Sequence, residues 1–415
     1  MTRRVIIIGI DGANWEIIDN IKKNREFNAL RKVCREGVRK TLISTFPYIT
    51  PAAWTTLYTG VSPQKHGLID FYLITKEGKY KYLSYFDSLY PGFWEYINNE
   101  KKTVLINLPM VSKSYPLNGV IIPGLPAEKA IPYPKEIINI LQKYDYEVHI
   151  PGFEAGAVDK KLIIEKTAQL ADKRKKVGID LIERINWDLF FIIFVASDLA
   201  QHVAIDDVEA LEKVYRPINE FIDHAISNMT KDDLLLVVSD HGFKPIKKVF
   251  YTNNWLIRRG YLSYKTADKI TKIISRIRMT RLWARIGPKI EERIWQIFLE
   301  RSNKKGRLSS LMERFSRYTD FFMPSNIEIG SKAFGFSSNM PIIYIKVVNE
   351  EYRDDLISDL SSLRDNGRRI VNKIYSPEQL GWMNLNRKLG ENLSLIHISE
   401  PTRPRLISYA VFCLK

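Results

Sequence analysis

Six side chains in this sequence have types and spacings that could do chemistry together. Asp11 lies in Gly9-Ile10-Asp11-Gly12, and Thr50 in Ile49-Thr50-Pro51-Ala52-Ala53-Trp54. Asp198 and His202 stand four residues apart in Ala196-Ser197-Asp198-Leu199-Ala200-Gln201-His202, and Asp240 and His241 are adjacent in Val238-Ser239-Asp240-His241-Gly242. Oxygen and imidazole ligands in roughly equal number suit Zn²⁺ or Mn²⁺ better than Ca²⁺. Two such ions about 4 Å apart activate a nucleophile and stabilise the leaving oxygen of an in-line phosphoryl displacement. A threonine hydroxyl is a weak nucleophile until a metal lowers its pKa. The set points to two-metal phosphoryl chemistry with Thr50 as the attacking group.

Each residue also has an ordinary role. An Asp after a strand commonly caps the next helix, and Thr50-Pro51 is a good N-cap and first-turn pair. An Asp-His dipeptide often marks a surface turn. His66, before Gly67, is expected to be a structural hydrogen-bonder, and His149 and His224 to be surface residues. Singly these roles outweigh the catalytic ones. Four ordered segments at the ends of strand-like runs outweigh them in turn.

Those runs define the scaffold. Val5–Ile8, 104–106, 120–122, Leu189–Val195 and Leu234–Val238 are short apolar strands, separated by helix-like segments such as Trp15–Val38. Apolar strands alternating with helices imply an α/β fold with a mostly parallel central sheet and helices on both faces. Functional groups then gather beyond the carboxyl ends of the strands, where Asp11, Asp198 and Asp240 fall.

Bulk properties narrow the class. A chain of 415 residues, 45% hydrophobic and 27% charged, can bury a large core. No apolar run reaches the length of a membrane span. The run after Arg3 and Arg4 stops at Gly9, too short for a signal peptide, so a cytoplasmic protein is expected. Cys34 and Cys413 are too few for a disulfide framework. The net charge of +16 favours an anionic partner. Of that, +10 falls in Tyr264–Tyr318, with fifteen Lys/Arg against five Asp/Glu and Ile270, Ile273, Ile274 and Ile277 along one helical face.

The order Asp, Thr, Asp-x-x-x-His, Asp-His resembles the alkaline phosphatase superfamily, and in particular its type I phosphodiesterase/nucleotide pyrophosphatase branch. So do Thr59-Gly60 nine residues after Thr50, Pro63-Gln64-Lys65-His66-Gly67, Asn107-Leu108-Pro109, Pro123-Gly124 and Asn254-Trp255-Leu256. The resemblance runs from the N-terminus to about Val348. It implies an alkaline-phosphatase-like fold and a pair of divalent metals, Zn²⁺ foremost and Mn²⁺ the alternative. Asp11, Thr50, Asp240 and His241 would hold one metal, and Asp198, His202 and a late histidine the other. It also implies cleavage of a phosphodiester or pyrophosphate through a covalent phospho-threonine. Phosphomonoester hydrolysis or phosphoryl transfer on the same scaffold is the alternative, and a non-catalytic anion-binding protein is a further one. Sulfatase chemistry does not fit, because its nucleophile is a modified Cys or Ser. One departure is Ala53, where nucleotide pyrophosphatases carry an Asn that helps hold the phosphoryl oxygen. Backbone N–H groups at the start of the following helix are expected to serve instead.

The expected organisation is an α/β core over 1–263, a basic helical insertion over 264–320, a truncated return to the core over 321–392 and a non-native tail over 393–415. Leu393–Arg403 resembles translated sequencing-library adapter DNA, and Ile407–Leu414 a translated flow-cell primer. On that basis Cys413 is spurious, His397 is not the missing metal ligand, the second metal is held poorly, the chain is nearly inactive, and the tail packs badly or trails over the surface. The basic insertion is expected to form a lid or substrate cap. Peripheral contact with anionic membranes is the alternative. Vesicle flotation with and without residues 265–318 separates the two, and equal behaviour removes membrane contact.

Overall fold

The computed structural model describes residues 3–74, 80–150, 160–245, 250, 252–262, 333–336, 342–346, 352–371, 373–375, 379, 393–399 and 409–414. The strands are β1 (Val5–Ile10), β2 (Val38–Leu42), β3 (Tyr72–Ile74), β4 (Tyr80–Tyr82), β5 (Thr103–Leu108), β6 (Gly119–Pro123), β7 (Leu189–Phe194) and β8 (Leu234–Val238). They continue with β9 (Ala333–Phe336), β10 (Ile342–Lys346), β11 (Arg364–Asp365), β12 (Arg368–Arg369), β13 (Lys373–Tyr375), β14 (Leu393–Ser399) and β15 (Tyr409–Leu414). The helices are α1 (Trp15–Ile21), α2 (Asn28–Glu36), α3 (Thr50–Thr59), α4 (Pro63–His66), α5 (Phe93–Ile97), α6 (Ile138–Lys143), α7 (Lys160–Arg184), α8 (Ala196–Ala204), α9 (Val208–Ser227), α10 (Thr252–Arg258) and α11 (Arg353–Ser362).

The central sheet runs β2-β15-β8-β1-β7-β5-β6. Its five strands β8, β1, β7, β5 and β6 are parallel. β5 and β7 are buried at every residue, and β1 at all but its first. A parallel sheet covered on both faces selects such unbroken apolar runs rather than alternation. Register then aligns the site. Ile10 pairs with Phe194, and Gly9 with Val238, so β1, β7 and β8 end level and release the segments carrying Asp11, Asp198 and Asp240 at one edge.

Helices flank this sheet, with α7 packed along α8 and α9, and α1 and α2 against α9. The single helix expected over Trp15–Val38 is in fact α1, a turn, α2 and the start of β2. The break has a tertiary cause. Phe27 is buried at the turn, and Asn219 of α9 accepts the N–H of Leu30 at 3.0 Å while donating to Glu26 O at 3.2 Å. A side chain from another helix thus satisfies the start of α2, whose own N-cap residue makes no side-chain bond.

A second, antiparallel sheet has the order β13-β14-β10-β9. Of the two expectations for the tail, poor packing or trailing over the surface, the second does not hold at 393–399 and 409–414, whose backbones pair into sheets. The backbone of β14 pairs with β10 and β13, and that of β15 pairs with β8 and β2 inside the central sheet. Leu393-Ser394-Leu395-Ile396-His397-Ile398-Ser399 and Tyr409–Leu414 are strand-forming by composition, and an open sheet edge offers unpaired backbone groups to any such segment. The side chains of His397 and Cys413 lie outside the described residues, as does the basic insertion over 264–320.

At the amino ends of the strands, Arg4 clamps Asp233, donating from N (3.2 Å), Nε (3.2 Å) and Nη2 (2.6 Å). Burial alone would push the Asp233 carboxyl up. The Arg4 guanidinium and the Thr230 N–H outweigh it and hold the carboxyl at about 2. A lowered folded pKa contributes stability that is present above the ordinary carboxylate value, about 4, and is lost as pH falls through the folded one. Asp233→Asn should cost about 1.5–3 kcal/mol in urea unfolding at neutral pH, and should flatten the loss of stability between about pH 4 and pH 2.

Candidate active site

Asp11 leaves β1 with its backbone N–H still bonded to Phe194 O (3.1 Å). It does not cap α1. Asn14 does, accepting from Ile17 N at 2.9 Å, and Asp11 is left pointing into the site at 1% exposure. Its Oδ2 accepts from the Trp54 indole N–H at 3.0 Å, while Oδ1 has no hydrogen-bond partner. Next to it, Gly12 adopts φ +69°, and a Cβ there would lie 3.1 Å from Asp198 Oδ1. Only glycine fits both constraints. The Gly12 N–H donates to Asp240 Oδ1 at 3.2 Å, and Asp240 Oδ2 is likewise buried without a hydrogen-bond partner.

Thr50 opens α3. The N-cap is Ile49, and no side chain caps the helix. The Thr50 hydroxyl lies instead 3.1 Å from His241 Nε2. His241 Nδ1 sits 3.1 Å from Gly242 O, a carbonyl that only accepts, so Nδ1 carries the proton and Nε2 presents its lone pair. That lone pair faces Asp240 Oδ2 at 3.3 Å and Asp11 Oδ1 at 3.5 Å.

Three acceptors therefore converge, from Asp11, Asp240 and His241, all within 4.8 Å of one another. Such a buried group either holds protons or offers its three ligand atoms to a cation. Tetrahedral ligands at about 2.0–2.1 Å from Zn²⁺ stand about 3.3 Å apart, and the contacts of 3.1, 3.3 and 3.5 Å around His241 Nε2 match that spacing. Burial, and then the charges of Asp240 and Asp198, raise the Asp11 carboxyl well above the carboxylate range. Burial also raises Asp240.

Asp198 and His202 lie one turn apart on α8, with His202 Nε2 at 3.4 Å from Asp198 Oδ2. An acid in the first turn and a histidine in the last also complement the dipole of this helix. Asp198 is close enough for its charge to act on both Asp11 and Asp240. Burial pulls the His202 imidazole down, but Asp198 outweighs it and raises it. His202 remains 46% exposed. The Phe243 ring neighbours both histidines, edge-on to His202 at 4.8 Å and 6.4 Å from His241.

Hydroxyls tie the loops together. Ser197 donates to Asp11 O (2.7 Å), Ser44 to Asp240 O (3.1 Å) and Ser239 to His241 O (2.9 Å). Sequence reasoning passed over these serines and Trp54. For Trp54 a signal existed, since a residue four after Thr50 shares its helix face. The serines bond backbone across loops and leave no periodic trace. His66 is buried and structural, 3.0 Å from Thr56 Oγ1 and accepting from Leu68 N at 3.1 Å. His224 is paired with Glu183 at 3.2 Å, away from the site residues. Ala53, where an Asn was expected of a nucleotide pyrophosphatase, is a buried methyl.

With this geometry in hand, the comparisons with known proteins become decisive. The model of the family "Type I phosphodiesterase / nucleotide pyrophosphatase" matches residues 5–353. The chain belongs to that family. Membership of that family makes it a phosphoester hydrolase. Among solved structures it resembles phosphonoacetate hydrolase from Sinorhizobium meliloti 1021, at 12% identity and TM-score 0.61 over 100% of this chain and 90% of the other. It also resembles the alkaline phosphatase PafA, at 11% identity and TM-score 0.53 over 100% and 91%. At such identities these two bear on the fold alone. No curated protein sequence matches.

Because Asp11 and Asp240 hold protons more tightly than exposed carboxylates, a cation entering between them must displace protons. Calorimetry of Zn²⁺ binding to the metal-free phosphodiesterase-family chain, in buffers of different ionisation enthalpy, should report net proton release. Absence of release would mean the carboxyls are not buried against each other as described.

Proposed function

We propose that this chain cleaves a phosphodiester or pyrophosphate linkage with Thr50 as nucleophile. The observation that carries the proposal is the Thr50 hydroxyl. It is diverted from helix capping to His241 Nε2, beside two buried carboxylate oxygens that lack partners.

Asp11, Thr50, Asp240 and His241 would hold one divalent ion, and Asp198 and His202 would contribute to a second, with Zn²⁺ favoured by the donor set and Mn²⁺ the alternative. Such ions supply positive charge that lowers the hydroxyl pKa and offsets the charge developing on the phosphoryl group. Thr50 Oγ1 then forms a bond to phosphorus as the leaving alkoxide or phosphate departs on the opposite side. Water attacks the phospho-threonine in a second step, breaking the P–Oγ1 bond and restoring the hydroxyl. Helix α3 directs its uncapped N-terminal N–H groups at the same place, a favourable site for the phosphoryl oxygens. The Gly242 carbonyl orients His241 through Nδ1, and His241 in turn holds the Thr50 hydroxyl.

Thr50→Ala should lower turnover by about 10³-fold or more, the scale seen when a nucleophile is lost. Bound metal should be retained, because Asp11, Asp240 and His241 remain. With Thr50 in place, and with a native C-terminus in place of residues 393–415, diesters should be hydrolysed faster than monoesters. Faster monoester cleavage would favour a phosphomonoesterase on the same scaffold, and turnover undiminished in Thr50→Ala would remove the covalent mechanism.

A further inference from the structure

Helix α3 brings a second group to the site besides Thr50. Trp54 follows one turn later and is fully buried. Its indole N–H is the one hydrogen-bond donor to the Asp11 carboxylate among the described residues, at 3.0 Å from Oδ2. The ring has little freedom. It stacks on Tyr58 with centroids 6.1 Å apart and planes 19° apart, and meets the edge of Phe191 at 6.4 Å. On the sheet side it occupies the space left by Gly9, where a Cβ would lie 2.6 Å from Trp54 Cη2. A run of isoleucines broken by one glycine therefore makes room for this indole on β1, two residues before the carboxylate it holds.

The terminal torsion of an Asp is soft and two-fold. Without a donor, the Asp11 carboxylate could turn away from Asp240 and His241, as their mutual repulsion favours. With Oδ2 tied to the indole, Oδ1 is the oxygen left facing His241 Nε2, in the cluster shared with Asp240. We propose that Trp54 is a positioning residue of the metal centre, whose N–H fixes Asp11 as a one-oxygen ligand and links its orientation to that of Thr50 through a shared helix. This rests on the assignment of Asp11, Asp240 and His241 to a divalent cation.

The test uses the full chain with Zn²⁺ or Mn²⁺ alone, followed by calorimetry, and compares two replacements of Trp54. Trp54→Phe removes the N–H and part of the ring. Incorporation of β-(3-benzothienyl)alanine at position 54 keeps the bicyclic outline and exchanges the N–H for sulfur. Both should weaken metal affinity about 10- to 100-fold, the usual effect of losing a partner behind a metal ligand, and the benzothienyl protein should keep its metal-free melting temperature. Unchanged affinity in the benzothienyl protein overturns the proposal, including the case where Trp54→Phe alone loses metal, since packing rather than the N–H would then be responsible. If the unaltered chain binds neither ion, the cation assignment itself falls and takes this proposal with it, an outcome distinct from the former.

Discussion

Two carboxyls, Asp11 and Asp240, are buried close together, with one oxygen of each lacking a hydrogen-bond donor among the described residues. Taking ionised groups out of water costs several kcal/mol each unless they are paired, and like charges in contact add to that cost. The surroundings read as devices that keep the pair in place. Among the described residues the Trp54 indole donates to Asp11 and the Gly12 N–H to Asp240. Neither donor is charged, so the negative charge is oriented without being cancelled, and the attraction for a cation is preserved.

The sheet makes this arrangement possible. Asp11 and Asp240 follow neighbouring parallel strands whose register is locked along β1 and β8, and the Arg4–Asp233 clamp secures the opposite ends of the same strands. Electrostatic strain at the carboxyl ends is thus opposed by hydrogen bonds and apolar burial along their whole length. The hydroxyls of Ser44, Ser197 and Ser239 close the loops above by bonding to backbone carbonyls, which restrains the loops without placing another charge beside the site.

The two halves of the site differ in character. Asp11, Asp240 and His241 are at most 7% exposed and come from separate segments, so their geometry depends on the assembled fold. Asp198 and His202 share one helical turn, and the histidine is half-exposed, so their mutual spacing is set locally by the helix. Phe243 lies against both imidazoles, giving the Asp198–His202 pair an apolar neighbour. The chain carries a net charge of +16, which favours an anionic partner.

The sequence by itself determined the fold class and the identity of the chemical groups. Unbroken apolar runs such as Leu189–Phe194 can only be satisfied in a sheet covered on both faces, and the residues just after such runs are forced to one edge, which is why Asp11 and Asp240 were legible as site residues. The helix–turn–helix over Trp15–Glu36 was not legible, because Asn219, far away in sequence, supplies the bond that starts α2. The backbone pairing of β14 and β15 was hidden as well, because ladder hydrogen bonds depend on which edge lies open rather than on a segment's origin. Only the tertiary structure decided what each polar atom does. In sequence, Thr50 and Asp11 are equally good helix caps. In the fold, Asn14 caps α1 and the Thr50 hydroxyl turns to His241, while Trp54 selects which oxygen of Asp11 remains free. Residue type limits the bonds an atom can make. The direction of those bonds is fixed only when segments remote in the chain pack together and leave a single set of partners within reach.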